Sequence, residues 1–239
     1  TLRARARMFR DTFAATWPNS RVVYAAKAYI APAIGAILDD EGIGLDVASG
    51  GEVYAGRLAG IPSANMTFHG NNKGEAELRE ALAAGIGLIA VDNDHEIDLL
   101  GRLAAEGLGP VRVILRLNPG LSPHTHHKMR TGAIDSKFGF PIETGAAMAA
   151  VEKIVAAGGF DLRGYHAHVG SQIFDPLLVR ETIGALLAFA ARVRDRFGLA
   201  PSTIVPGGGF GVADDASGED VSVGEWAVAA AAALREGCA

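Results

Sequence analysis

Val22-Val23-Tyr24-Ala25-Ala26-Lys27-Ala28 is an apolar run of β-favouring residues that ends on a single lysine and is cut off by Pro32. Val22, Val23 and Tyr24 suit a pleated strand, and a short apolar run without alternation is how a parallel strand buried on both faces reads. Lys27 then falls at the strand's C-terminal end. In a β/α barrel that end faces the active site, and an amine held between apolar walls has its pKa lowered enough to attack a carbonyl. The same position also suits a lysine whose stem lies along the strand edge while its head reaches water.

Outward from this run, short apolar stretches alternate with amphipathic ones. Strands are expected at residues 45–48, 65–69, 88–92, 111–117, 162–169 and 203–205, with helices at 33–40, 52–58, 75–84, 94–105, 144–157, 176–197 and 223–234. At the start, Leu2, Phe9 and Phe13 share one helical stripe while Asp11 interrupts the arginines, which favours a surface helix over a transit peptide. Strands alternating with helices imply a parallel sheet covered by helices. The fold class expected is α/β, a TIM-like (β/α)8 barrel. Seven β/α units can be counted, and a closed barrel takes about 250 residues, so an eighth strand is expected beyond Ala239 and the barrel is read as incomplete at its C-terminal end.

The chain has 239 residues, 49% hydrophobic and 21% charged, the makeup of a globular domain. With a net charge of −5 and no long basic run, nucleic acid and membrane surfaces are disfavoured as partners, and a small molecule is the default ligand. No apolar run is long enough to span a bilayer. Cys238 is the single cysteine, which excludes an intrachain disulfide framework and suits the cytoplasm.

Chemistry-bearing residues recur at strand ends. Asp46 precedes Ser49-Gly50-Gly51-Glu52, where it either caps the next helix or points into a site; Glu52 is expected to complete the turn's hydrogen bonding. His69 precedes Gly70-Asn71-Asn72-Lys73, a polar turn whose Asn71 and Lys73 take no assigned role. Arg116 interrupts an apolar strand and should meet an anion or an acceptor, because burying it alone is costly. His166 and His168 occupy alternate positions, so a strand would point both rings to one side. The loop with His124, His126, His127 and Lys128 invites a metal, but the crowded spacing and the absence of a nearby cysteine favour solvated histidines, and no metal is expected. Gly207-Gly208-Gly209-Phe210-Gly211 follows the seventh strand, where barrels build phosphate sites from exposed N–H groups.

Taken in order, Tyr24 to Ala28, Asp46 to Glu52, His69 to Lys73, Ser136-Lys137-Phe138-Gly139, His166 to Gln172 and Gly207 to Gly211 closely resemble the barrel domain of the fold-type III pyridoxal-phosphate decarboxylases, a barrel of the alanine racemase type. The resemblance implies that residues 1–239 form a pyridoxal-phosphate-binding domain. It makes Lys27 the amine that holds the cofactor and His168 the ring that stacks on its pyridine. Asp46, His69 and Arg116 become walls of the site, and Ser171 with Gly207, Gly208 and Gly209 its phosphate anchor. It implies decarboxylation of an amino acid, meso-diaminopimelate to lysine, with ornithine or arginine as the alternative substrate, in a cytoplasmic homodimer. A non-catalytic cofactor carrier on the same barrel and an interaction domain using the histidine loop are the rival readings.

The resembled enzymes carry a Glu-Pro-Gly-Arg motif on the next strand and then a β domain that supplies a catalytic cysteine. Neither is found within residues 1–239. Cys238 is therefore read as a free surface thiol. The 239-residue chain alone is expected to bind cofactor weakly, to decarboxylate little and to self-associate through an open side.

Overall fold

The structure, a computed structural model, describes residues 1–121, 138–212 and 221–238. The elements run α1 (Leu2–Thr16), β1 (Val23–Ala25), α2 (Pro32–Asp40), β2 (Gly44–Val47), α3 (Gly50–Leu58), β3 (Met66–Phe68), α4 (Glu75–Ala83), β4 (Leu88–Val91), α5 (Asp94–Leu103), β5 (Val111–Asn118), β6 (Phe140–Pro141), α6 (Ala146–Ala157), β7 (Phe160–His166), α7 (Leu177–Phe197), β8 (Thr203–Val205) and α8 (Val223–Gly237). Seven strands are each followed by a helix, the organisation of an incomplete (β/α) barrel. β6 is additional, a two-residue strand within the β5 to α6 connection.

The chain divides into two compact units. Residues 1–114 and 153–162 form the first, in which β1, β2, β3, β4 and β5 lie side by side in that order. The register pairs Tyr24 with Leu45, Asp46 with Thr67 and Phe68 with Ile89, all parallel. Leu45, Val47, Phe68, Ile89, Val91, Val113 and Ile114 are fully buried, as are Leu78, Leu100 and Leu103 from the helices. Each such side chain contributes about 1.5–3 kcal/mol of hydrophobic stabilisation.

Helix starts in this unit share one device. Ser49 caps α3 by accepting the Glu52 N–H, and the Glu52 carboxylate reaches back to the Ala48 N–H at 2.8 Å. Asn93 caps α5 by accepting the Glu96 N–H, and Glu96 returns to the Asp92 N–H at 2.8 Å. Both are capping boxes displaced by one residue. At α4 the side-chain cap is lost because the capping residue is Gly74, and Glu77 substitutes. One of its oxygens accepts the Gly74 N–H at 3.0 Å and the other accepts the Gly50 N–H at 2.7 Å. Pro32 takes the first position of α2, where its missing N–H costs nothing. α1 is tied down by Glu41, whose carboxylate meets Arg7 at 2.7 Å and Arg3 at 3.0 Å while Arg10 donates to its carbonyl. Those guanidinium groups hold the Glu41 carboxyl down at about 2.

Residues 115–152 and 163–239 form the second unit, which holds the C-terminal half of β5 with β6 beside it, and the C-terminal part of β7 beside β8. Leu117 pairs with Phe140, and Tyr165 with Ile204, again parallel. Tyr165 packs edge-to-face on Phe189 of α7, centroids 5.1 Å apart, and burial pushes its phenol up to about 12. α7 ends at Gly198, whose left-handed backbone (φ +70°) returns its N–H to the Arg194 carbonyl. α8 lies against α7 closely enough that a Cβ on Gly237 would fall 2.3 Å from Leu187. No helix of the described residues is long and apolar enough to cross a membrane.

Candidate functional site

In the first unit the candidates lie at or just after the C-terminal ends of β1, β2 and β3. The β1 strand stops at Ala25, two residues before the lysine. The ladder extends one bond further, from the Ala26 N–H to the Asp46 carbonyl at 2.8 Å, and the chain then turns, closed by the Ala28 N–H on the Ala25 carbonyl. Lys27 lies on this turn and is exposed. Lys27 therefore lies just past the C-terminal end of β1 and not on its last residue, and it is exposed where apolar walls were expected. The Tyr24 hydroxyl donates to the Tyr29 carbonyl at 2.9 Å and anchors the segment that follows.

Asp46 lies within β2, and its carboxylate does not cap α3, since Ser49 does. It stands 3.7 Å from His69 Nε2 instead. His69 comes directly after β3, is 9% exposed, and its N–H continues the ladder to the Val47 carbonyl. Two candidates predicted separately are thus found together.

Beneath His69 lies a network that sequence reasoning left without a role. The Lys73 ammonium is buried, its side chain 1% exposed, and lies 2.8 Å from a Glu96 oxygen, 2.9 Å from the Ala90 carbonyl and 2.5 Å from the Gly70 carbonyl. The amine thus donates to two carbonyls and pairs with a buried carboxylate. Burial pushes the Glu96 carboxyl upward, against the pull of Lys73 and of the Asp92 N–H. Asn93 closes the arrangement by donating to the Asn71 carbonyl at 3.1 Å. The turn carrying His69 is thereby bonded to the start of α5.

In the second unit Arg116, on β5, places its guanidinium 4.5 Å from the centroid of Phe138, so the acceptor it was expected to need includes a ring face. β7 ends at His166, so the alternation argument fails for His168, which lies beyond the strand. His166 is buried and its Nδ1 donates to the Val205 carbonyl at 3.1 Å, a bond from β7 to β8. His168 is half-buried and runs beside the glycines: a Cβ on Gly207 would meet its Nδ1 at 3.2 Å and the Ala167 carbonyl at 2.6 Å. A Cβ on Gly209 would fall 2.3 Å from the Gly170 carbonyl. Both glycines take positive φ, +84° and +99°. They let the segment after β8 lie directly on the segment after β7.

Gly208, between them, is different. It is exposed and its missing Cβ would meet nothing within 4 Å. Ser171 on the facing segment is exposed as well. A bare peptide with open space before it, next to glycines that hold it in place, is a cradle that a phosphate group fits. These residues of the second unit thus suit a ligand that carries a phosphate.

The histidine loop (His124, His126, His127, Lys128), Thr131-Gly132 and Ser136-Lys137 lie outside the described residues. Among the described residues no group of three or more histidine, cysteine, aspartate or glutamate side chains is arranged to hold a metal ion. Cys238 is exposed with a free thiol, as expected. A cleft of about 600 Å³ between α7 and α8, lined by Leu177, Arg180, Glu225 and Val228, contains none of the candidates.

The chain matches, over residues 1–239, the family described as pyridoxal-dependent decarboxylase, pyridoxal binding domain. It is 39% identical over 211 residues to a diaminopimelate decarboxylase of Halalkalibacterium halodurans, covering 88% of this chain and 48% of that protein. Against a diaminopimelate decarboxylase of Synechocystis the identity is 38% over 247 residues, 100% of this chain and 52% of the other. The crystal structure of a diaminopimelate decarboxylase from M. jannaschii in complex with L-lysine superposes with a TM-score of 0.88 at 28% identity, over 98% of this chain and 56% of that one. The chain spans about half the length of the curated relatives it matches. With its whole length covered by the profile and its strand-end residues in the family's order, the chain belongs to the pyridoxal-binding domain family of the pyridoxal-dependent decarboxylases.

Proposed function

We propose that this chain is the cofactor-binding portion of a decarboxylase that converts meso-diaminopimelate to L-lysine and CO₂. The observation that carries the reading is an exposed lysine directly after the first barrel strand, in a chain otherwise similar throughout to diaminopimelate decarboxylases. When bound, pyridoxal phosphate supplies the electron sink for the pair left behind as CO₂ departs.

The chain's own groups hold and orient. Lys27 presents its amine from a turn, free of the β1 ladder, and is the residue we assign to covalent attachment. His168 offers a ring face for stacking. Gly207, Gly208 and Gly209 with Ser171 donate hydrogen bonds to phosphate oxygens. Asp46 and His69, 3.7 Å apart, form a polar wall. Arg116, braced by Phe138, supplies fixed positive charge. We further propose that the full-length protein acts as a cytoplasmic homodimer; a single cysteine in 239 residues is consistent with a reducing compartment.

Incubation with pyridoxal phosphate, borohydride reduction and peptide mapping test the assignment: the pyridoxyl group should appear on the peptide containing Lys27. Labelling of another lysine with Lys27 spared refutes it. For the substrate, CO₂ release by the full-length protein should be faster from meso-diaminopimelate than from ornithine or arginine, and the reverse order replaces the substrate proposed.

A further inference from the structure

Gln172 is the one non-glycine residue among the described residues with a positive φ, +54°. A side chain bearing a Cβ enters this region at a cost, so neighbouring contacts must hold it there. The contacts are made by its own amide. Nε2 donates to the Val212 carbonyl at 3.0 Å and Oε1 accepts the Val212 N–H at 3.1 Å, so the side chain copies the donor and acceptor of a peptide group. On the next residue, the Ile173 N–H bonds the Gly209 carbonyl at 2.8 Å and the Ile173 carbonyl accepts the Gly211 N–H at 2.9 Å, an isolated parallel bridge with Phe210. Four hydrogen bonds thus fasten residues 172–173 to residues 209–212. Two of the four depend on one exposed side chain, and that side chain follows Ser171 directly.

We propose that Gln172 is a positioning residue for the anionic end of the ligand, clamping Val212 so that the glycine run and the Ser171 turn keep one fixed register. The inference rests on reading Gly207 to Gly209 and Ser171 as a phosphate site. Glutamine is the side chain this geometry requires. Glutamate lacks the donor and would set a charge against the Val212 carbonyl, and asparagine is one carbon too short to span the same gap. The clamp acts through the backbone, so its loss should be felt by the phosphate and not by the remainder of the ligand.

The test compares pyridoxal phosphate with pyridoxal, which differ only in the phosphate. Trp226 stacks 4.4 Å from Phe210 in the same run and serves as a fluorescence reporter. Gln172→Gly removes the amide but relieves the positive φ, and Gln172→Glu keeps the side chain's length. Both should weaken pyridoxal phosphate about tenfold, the order expected for loss of one or two hydrogen bonds, while pyridoxal affinity and Tm stay near those of the unaltered chain. Equal weakening of both ligands, or unchanged affinity for pyridoxal phosphate in both variants, overturns the inference. An unaltered chain with no preference for pyridoxal phosphate over pyridoxal sinks the phosphate-site reading and the inference with it.

Discussion

Replacing Lys73 by methionine keeps the stem of the side chain and deletes its charge, at a place where that charge is 1% exposed and lies 2.8 Å from an equally buried Glu96. Two carbonyls, of Gly70 and Ala90, lose their donor and the Glu96 carboxylate loses its counter-charge at once. Glu96 keeps only the Asp92 N–H among the bonds described above. Removing one partner of a buried ion pair costs about 3–5 kcal/mol, which for a domain of this size lowers Tm by roughly 6–20 °C. The loss should depend on pH. Burial already pushes the Glu96 carboxyl upward, and without Lys73 the Asp92 N–H is the one pull named above that remains against it. A carboxyl whose folded pKa lies above its unfolded value favours folding when protonated and loses that advantage as pH rises, so the deficit of the variant should shrink as pH is lowered through the raised folded pKa. Glu96→Gln in the Lys73→Met background removes the stranded charge while keeping an acceptor for the Asp92 N–H. The double variant should therefore be more stable than Lys73→Met alone, with a coupling energy of about 1–3 kcal/mol. Urea unfolding of the four proteins measures this. Costs of the single changes that add to within about 0.5 kcal/mol mean that the two charges do not support each other and that the reasoning is wrong.

Glu41, held at about 2 by Arg7 and Arg3 against an ordinary 4.5, stabilises the fold at pH values above 4.5 and loses that contribution as pH falls toward 2. The urea midpoints of the unaltered chain and of Glu41→Gln should accordingly converge on acidification through this window, and a gap that stays constant speaks against the α1 staple. Gly208→Ala should leave stability within about 0.5 kcal/mol yet weaken pyridoxal phosphate binding, since its methyl enters open space before the proposed cradle. Gly209→Ala should instead cost about 1–3 kcal/mol or more in thermal unfolding, because its φ is +99° and the Gly170 carbonyl occupies the methyl's place. Equal melting temperatures for the two alanine variants would remove the basis for telling them apart.

The order of elements was legible because apolar runs bounded by glycine and capping residues are local signals, and the seven expected β/α units are all present. Ends were less so. The run from Val22 to Ala28 contains three alanines that suit strand and turn alike, so nothing local announced that β1 stops at Ala25 and leaves Lys27 exposed. Likewise Ala167 and His168 read as strand although β7 ends at His166. β6 is two residues long and includes Pro141, too short for any periodicity; it exists because Leu117 and Asn118 offer it a ladder. Lys73 with Glu96, and Gln172 with Val212, are 23 and 40 residues apart, and partnerships at that separation are made by tertiary contact alone. A partial signal was available for the first pair. Asn93 and Glu96 repeat the three-residue spacing of Ser49 and Glu52, which marked Glu96 as a helix-start residue with one oxygen left over for another partner.

Glu77 spends its two oxygens on the beginnings of two successive helices, Gly50 in α3 and Gly74 at the head of α4. One β/α module therefore finishes the polar wiring of the module before it, and the start of α3 is not complete in the absence of α4. Such a link makes neighbouring modules cooperative: α3 gains the N–H partner at Gly50 only once α4 has docked, so the two should protect their amides from exchange together and be lost together. It also restricts how this chain can be cut and rejoined. A permutation or transplant that separates residues 44–58 from residues 66–83 severs a bond that no residue nearby in sequence can replace, whereas a break between helices not bridged in this way spares it.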